Sequence, residues 1–153
     1  MLSFNKNSNF DIGISMDDFF NFTLPPSELN ALSALALAHM GDAVYELLVR
    51  AWLCAHGKLT SGGLHSAAVR YVSAKAQARA AARIAPLLTE AEAAVFRRGR
   101  NAHTHTIPQS ADPAQYHAAT GLEALFGWLY LSGARERVSE LFRAAMEGTD
   151  DAA

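Results

Sequence analysis

A single cysteine, Cys54, in 153 residues excludes an intramolecular disulfide and fits a reducing compartment. Its setting, Ala51-Trp52-Leu53-Cys54-Ala55-His56, predicts a buried structural thiol rather than a nucleophile. No apolar run approaches the roughly 18 residues of a membrane span. The N-terminus has no basic stretch followed by an apolar core, so no secretory leader is read there. The expectation is a cytoplasmic chain with no membrane partner. Convincing strands and internal repeats are missing, as are a Ser-His-Asp order, a Cys-His pair and a phosphate-binding glycine loop. No histidine lies three residues after a glutamate, which sets aside a di-metal oxidase bundle. His103 and His105, with no cysteine near, make a poor zinc site.

Half of the residues are hydrophobic and 18% are charged, as in an ordinary single-domain protein. Net charge is only −2, but it is unevenly spread. Residues 50–100 hold nine Lys or Arg against two acids, Glu90 and Glu92. One basic face suited to a polyanion is one reading; a solvated helix surface is the other. Turn and cap signals divide the chain into about seven helices, an all-α fold. The spacing predicts helices over 27–39, 41–56, 64–72, 74–84, 89–100, 114–132 and 134–147. Residues 1–26 read as an N-terminal extension that stays poorly ordered or docks Phe19, Phe20 and Phe22 on the domain. The domain proper then spans 27–148, with an acidic tail over 149–153.

Two acids stand out. Asp42 follows Gly41 in an otherwise apolar segment, and Glu123 is the only charged residue between Asp112 and Arg135. A carboxylate buried without a partner is costly, so both point to a compensating ligand. Two such carboxylates on facing helices would suit a hard divalent cation. Gly41 and Gly127 would let the two backbones approach closely. Taken alone, Asp42 also reads as a helix N-cap. Glu46 pairs more naturally with Arg50, four residues on, than with a metal. The apolar stretch 122–131 belongs in a core or in an oligomer interface.

His39-Met40-Gly41-Asp42-Ala43-Val44-Tyr45-Glu46 and Leu122-Glu123-Ala124-Leu125-Phe126-Gly127 resemble the two acidic motifs of ribonuclease III catalytic domains. Tyr71-Val72-Ser73-Ala74-Lys75-Ala76-Gln77-Ala78 and Arg97-Arg98-Gly99-Arg100-Asn101-Ala102 are similar to mini-ribonuclease III, the branch without a separate double-stranded-RNA-binding domain. The four motifs occur in order over roughly 29–147. This resemblance implies the ribonuclease III endonuclease-domain fold as a homodimer. It implies an Mg²⁺-dependent endoribonuclease, with Mn²⁺ able to substitute, acting on double-stranded RNA and trimming precursor large-subunit (23S) ribosomal RNA. It makes Asp42 and Glu123 the catalytic and metal-binding carboxylates, and Lys75, Arg97, Arg98, Arg100 and Asn101 the RNA contacts. With six residues after Glu147, no appended RNA-binding domain is expected. Larger enzymes of this kind carry two further acids, at the positions of Ala38 and Thr120. Their loss motivates the rival reading, a non-catalytic RNA-binding or ribosome-assembly protein on the same fold.

Overall fold

A helix that is apolar on nearly every side must be enclosed, and the segment around Glu123 is such a helix. The computed structural model describes residues 18–57, 60–103 and 106–149. Seven α-helices form there: α1 Pro26–Ala31, α2 Ala34–Ala55, α3 Ser61–Val72, α4 Ala74–Ile84, α5 Glu90–Arg100, α6 Pro113–Leu131 and α7 Arg135–Met146. A single 3₁₀ turn, Ala85–Leu87, follows α4, and no strand occurs among the described residues. Helix α6 is the axis. It buries Leu122, Ala124, Leu125, Phe126, Leu129 and Leu131 against α2, α4, α5 and α7. Tyr45 of α2 fills the centre, its ring meeting Phe126 and Phe142 edge-on at centroid distances of 5.2 and 5.7 Å.

Side-chain caps set the helix starts. Ser33, Thr60, Ser73 and Thr89 each accept from the backbone N–H three residues on, and Asp112 accepts from Ala114 and Gln115. Thr89 and Glu92 complete a capping box. Glu92 then accepts two hydrogen bonds from Arg137 of α7, at 2.8 and 2.9 Å. That pair ties α5 to α7 and holds the Glu92 carboxyl below the usual carboxylate range.

Three expectations from the sequence need correction. The first break falls at Leu32-Ser33, not at Met40-Gly41, because Ser33 caps a continuous 22-residue α2. Asp42 therefore sits inside a helix and is no N-cap. Gly62 and Gly63 belong to the first turn of α3 rather than to a preceding loop. Cys54 is exposed instead of buried, since its face of α2 points away from α6.

Residues 18–25 run along the α6–α7 corner. Leu24 donates to the Leu131 carbonyl at 2.8 Å, and Phe22 meets the Tyr130 ring edge-on. Arg135 donates to the carbonyls of Phe20, Phe22 and Tyr130 while lying 4.0 Å from the centre of the Tyr130 ring. Residues 1–17 lie outside the described part, as do 58–59, 104–105 and 150–153.

Candidate active site

The crossing of α2 over α6 is set by glycine. A methyl group on Gly41 would lie 1.5 Å from the Glu123 carbonyl oxygen, and one on Gly127 would lie 2.0 Å from the Leu37 carbonyl oxygen. Neither position has room for a side chain, so each backbone rests directly on the other helix. Gly41 packs on the peptide of Glu123 itself. Asp42, the next residue, is thereby placed beside Glu123 across 81 positions of sequence.

The expectation that both carboxylates are buried is corrected. Asp42 is exposed and Glu123 is half-buried, so the pair forms the wall of an open surface. Burial is the first cause that pushes the Glu123 carboxyl up to about 7, and the Asp42 charge is the second. A hydrogen bond from the side chain of Gln77 works in the opposite direction. Gln77 of α4 is 1% exposed. Its Nε2 donates to the Val72 carbonyl at 3.3 Å, while its Oε1 has no partner among the described residues. The motif around Gln77 is legible in the sequence, but the pattern alone assigns this residue no role. Its signal is a lone amide on the buried stripe Gln77, Ala80, Ala81, Ile84 of an alanine-rich helix.

These donors fit a divalent cation. Two hard carboxylate oxygens converge, one of them raised in pKa by charge and burial that a cation would relieve, and an amide oxygen beside them lacks a donor. Among the described residues no group of three or more His, Cys, Asp or Glu could hold a metal, so such an ion would keep most of its shell as water. The positions of the two missing acids explain themselves locally. Ala38 is buried among Leu29, Leu37, Val95 and Leu131, and the Thr120 hydroxyl donates to the Tyr116 carbonyl at 3.0 Å. Glu46 pairs with Arg50 at 2.6 Å.

The cationic residues sit on two neighbouring helices. Lys75 is exposed on the first turn of α4, two residues before Gln77. Arg97, Arg98 and Arg100 are exposed in the last turn of α5. Between them, Gly99 packs on α6: a methyl there would lie 2.6 Å from the Ala124 Cβ and 3.0 Å from the Gly121 Cα. The basic turn is thus level with the turn of α6 that bears Glu123. None of these four cations forms an ion pair with a carboxylate among the described residues. Asn101 is exposed and accepts from the Arg100 Nε at 3.3 Å.

Known proteins resemble this arrangement. The family model described as the ribonuclease III domain matches residues 35–134. A mini-ribonuclease 3 of Symbiobacterium thermophilum is 50% identical over 125 residues, covering 82% of this chain and 90% of that protein. One of Enterococcus faecalis is 46% identical over 112 residues, covering 72% and 85%. A crystal structure of a Fusobacterium nucleatum protein superposes with a TM-score of 0.69 at 30% identity, covering 76% of this chain and 94% of that one.

Proposed function

The chain belongs to the ribonuclease III domain family, and on that premise we propose a divalent-cation-dependent endoribonuclease that cuts double-stranded RNA. The observation that carries this reading is the placement of Asp42 beside Glu123 at a crossing closed by two glycines. Asp42 and Glu123 would hold the cation, Mg²⁺ with Mn²⁺ able to substitute. When bound, it supplies the positive charge that activates a water and offsets charge on the scissile phosphate.

The protein's own residues do the rest. Glu123 is positioned by the α2–α6 contact, and its raised pKa gives it reason to bind a cation. Lys75, Arg97, Arg98, Arg100 and Asn101 hold the RNA backbone beside the carboxylates. Their exposure without carboxylate partners supports this role over a solvated surface. The ribosomal substrate, the ends of precursor large-subunit (23S) RNA, is the role that resemblance to mini-ribonuclease III implies.

Cutting both strands of a duplex calls for two sites, and a two-fold homodimer supplies them. The apolar segment 122–131 does not argue for that dimer, because it is consumed by the chain's own core. A different surface does. The outer stripe of α2 carries Leu35, Ala43, Leu47 and Ala51 at intervals of four, all exposed and flanking Asp42.

Incubating the purified chain with a perfect RNA duplex, with and without Mg²⁺, tests the reading. Expected are Mg²⁺-dependent cuts leaving 5′-phosphates, and none with Asp42→Asn. Duplex binding without cutting at any Mg²⁺ or Mn²⁺ concentration would favour the non-catalytic alternative.

A further inference from the structure

Gln77 is the most deeply buried polar side chain near the carboxylate pair, and the reaction above gives it no task. Its surroundings fix which way the amide points. Were oxygen and nitrogen exchanged, the amide oxygen would face the Val72 carbonyl, two acceptors with no proton between them. The nitrogen therefore faces Val72, and its second hydrogen is free for the Glu123 carboxylate. That leaves Oε1 buried and unpartnered, a condition that costs roughly 1–3 kcal/mol unless something donates to it. Nothing in α4 requires the amide. The Gln77 backbone N–H already donates to the Ser73 carbonyl at 2.9 Å, and an apolar side chain would suit the stripe it shares with Ala81 and Ile84.

We propose that Gln77 is the positioning residue of the Asp42–Glu123 cation site: its amide N–H orients the Glu123 carboxylate, and its amide oxygen accepts from a water in the cation's shell. The inference rests on Asp42 and Glu123 being the cation ligands. Such outer partners fix the orientation of ligands, and losing one typically costs 10–100-fold in metal affinity. Gln77 suits the task because an amide both donates and accepts without adding a third negative charge.

The test is calorimetric Mn²⁺ binding to the full chain without RNA, with melting temperature measured in parallel. Gln77→Met keeps the length of the side chain and removes both hydrogen-bonding ends. Its Mn²⁺ affinity is expected to fall about tenfold. In cleavage, the Mg²⁺ concentration for half-maximal rate should rise by a similar factor, with the rate at saturating Mg²⁺ changed less. Gln77→Glu keeps an acceptor oxygen but crowds a third carboxylate beside Glu123. It should melt lower than wild type without cation and gain more in melting temperature from Mn²⁺. Unchanged Mn²⁺ affinity in Gln77→Met, or a wild-type Mn²⁺ response in Gln77→Glu, would overturn the proposal. Asp42→Asn separates the two levels. If it abolishes Mn²⁺ binding while Gln77→Met binds as wild type does, only the role of Gln77 falls. If Asp42→Asn binds Mn²⁺ normally, the cation site lies elsewhere and both readings fall.

Discussion

Glu123 carries a charge that its surroundings oppose twice, by partial burial and by the Asp42 carboxylate. Its folded-state pKa, raised from 4.5 to about 7, has a defined consequence for stability. Between those values the folded chain binds more protons than the unfolded one, so stability falls as pH rises through that window. Above about 7 the full penalty is present, and a cation should offset it. Glu123→Gln removes the charge and keeps the shape. In metal-free buffer near pH 8 it is expected to melt higher than wild type, with the difference shrinking towards pH 4.5; a lower melting temperature at pH 8 would contradict this account. Cleavage should fall by about 10²–10³-fold in both Glu123→Gln and Asp42→Asn, the scale of losing one preorganised electrostatic group. Duplex binding should persist, since neither acid contacts RNA except through the cation. Near wild-type cutting by either variant would remove these two acids from the chemistry.

At the scale of helices, the site is a product of how closely two backbones can approach. Gly127→Ala would put a methyl 2.0 Å from the Leu37 carbonyl oxygen, a clash the helices can relieve only by separating. Over-packing of this kind costs about 1–3 kcal/mol. The same displacement parts Asp42 from Glu123, and a misplacement of about 1 Å can cost about 10²-fold in rate. Chemical denaturation and duplex cleavage should therefore both report the change; a stable Gly127→Ala variant with normal activity would show that the close crossing is dispensable. This crossing was legible in the sequence because each glycine lies near an acid in an apolar segment. The location of the first helix break was not. Gly41 reads locally as a helix breaker, and only the partner helix shows that its missing side chain is what α6 occupies. Ser33, the real cap, stands among residues that could equally continue a helix. The exposure of Asp42 was hidden for a related reason: α2 is apolar on the face turned to α6 and also on the face turned away from it. Sequence periodicity cannot tell which of two apolar stripes is covered.

For the whole molecule, that second stripe and the basic rim decide how RNA and a second chain are met. Arg97, Arg98 and Arg100 lie on one exposed turn, so binding should weaken steeply with salt as bound phosphates release their counterions. Changing all three to alanine should flatten the slope of log affinity against log salt by about one unit for each phosphate no longer neutralised. An unchanged slope would mean that this turn faces solvent in the complex. The dimer makes a separate prediction. Leu47 is 55% exposed and Leu35 is 40% exposed, on the side of α2 opposite its core face. Leu47→Glu would place a charge at the centre of this stripe without touching α6, Asp42 or Glu123. Its fold should survive, because an exposed leucine contributes little to the chain's own core. A dimer sealed by this stripe would instead have to bury an unpaired carboxylate, and should dissociate. Sedimentation should then show wild type at twice the mass of Leu47→Glu at micromolar concentration. Cleavage separates the consequences further: a monomer with one intact carboxylate pair should nick one strand of a duplex where the dimer cuts both. If wild type sediments as a monomer and still cuts both strands, two-site cleavage by a homodimer is wrong. If Leu47→Glu remains a dimer, the second chain is held by a surface other than the outer stripe of α2.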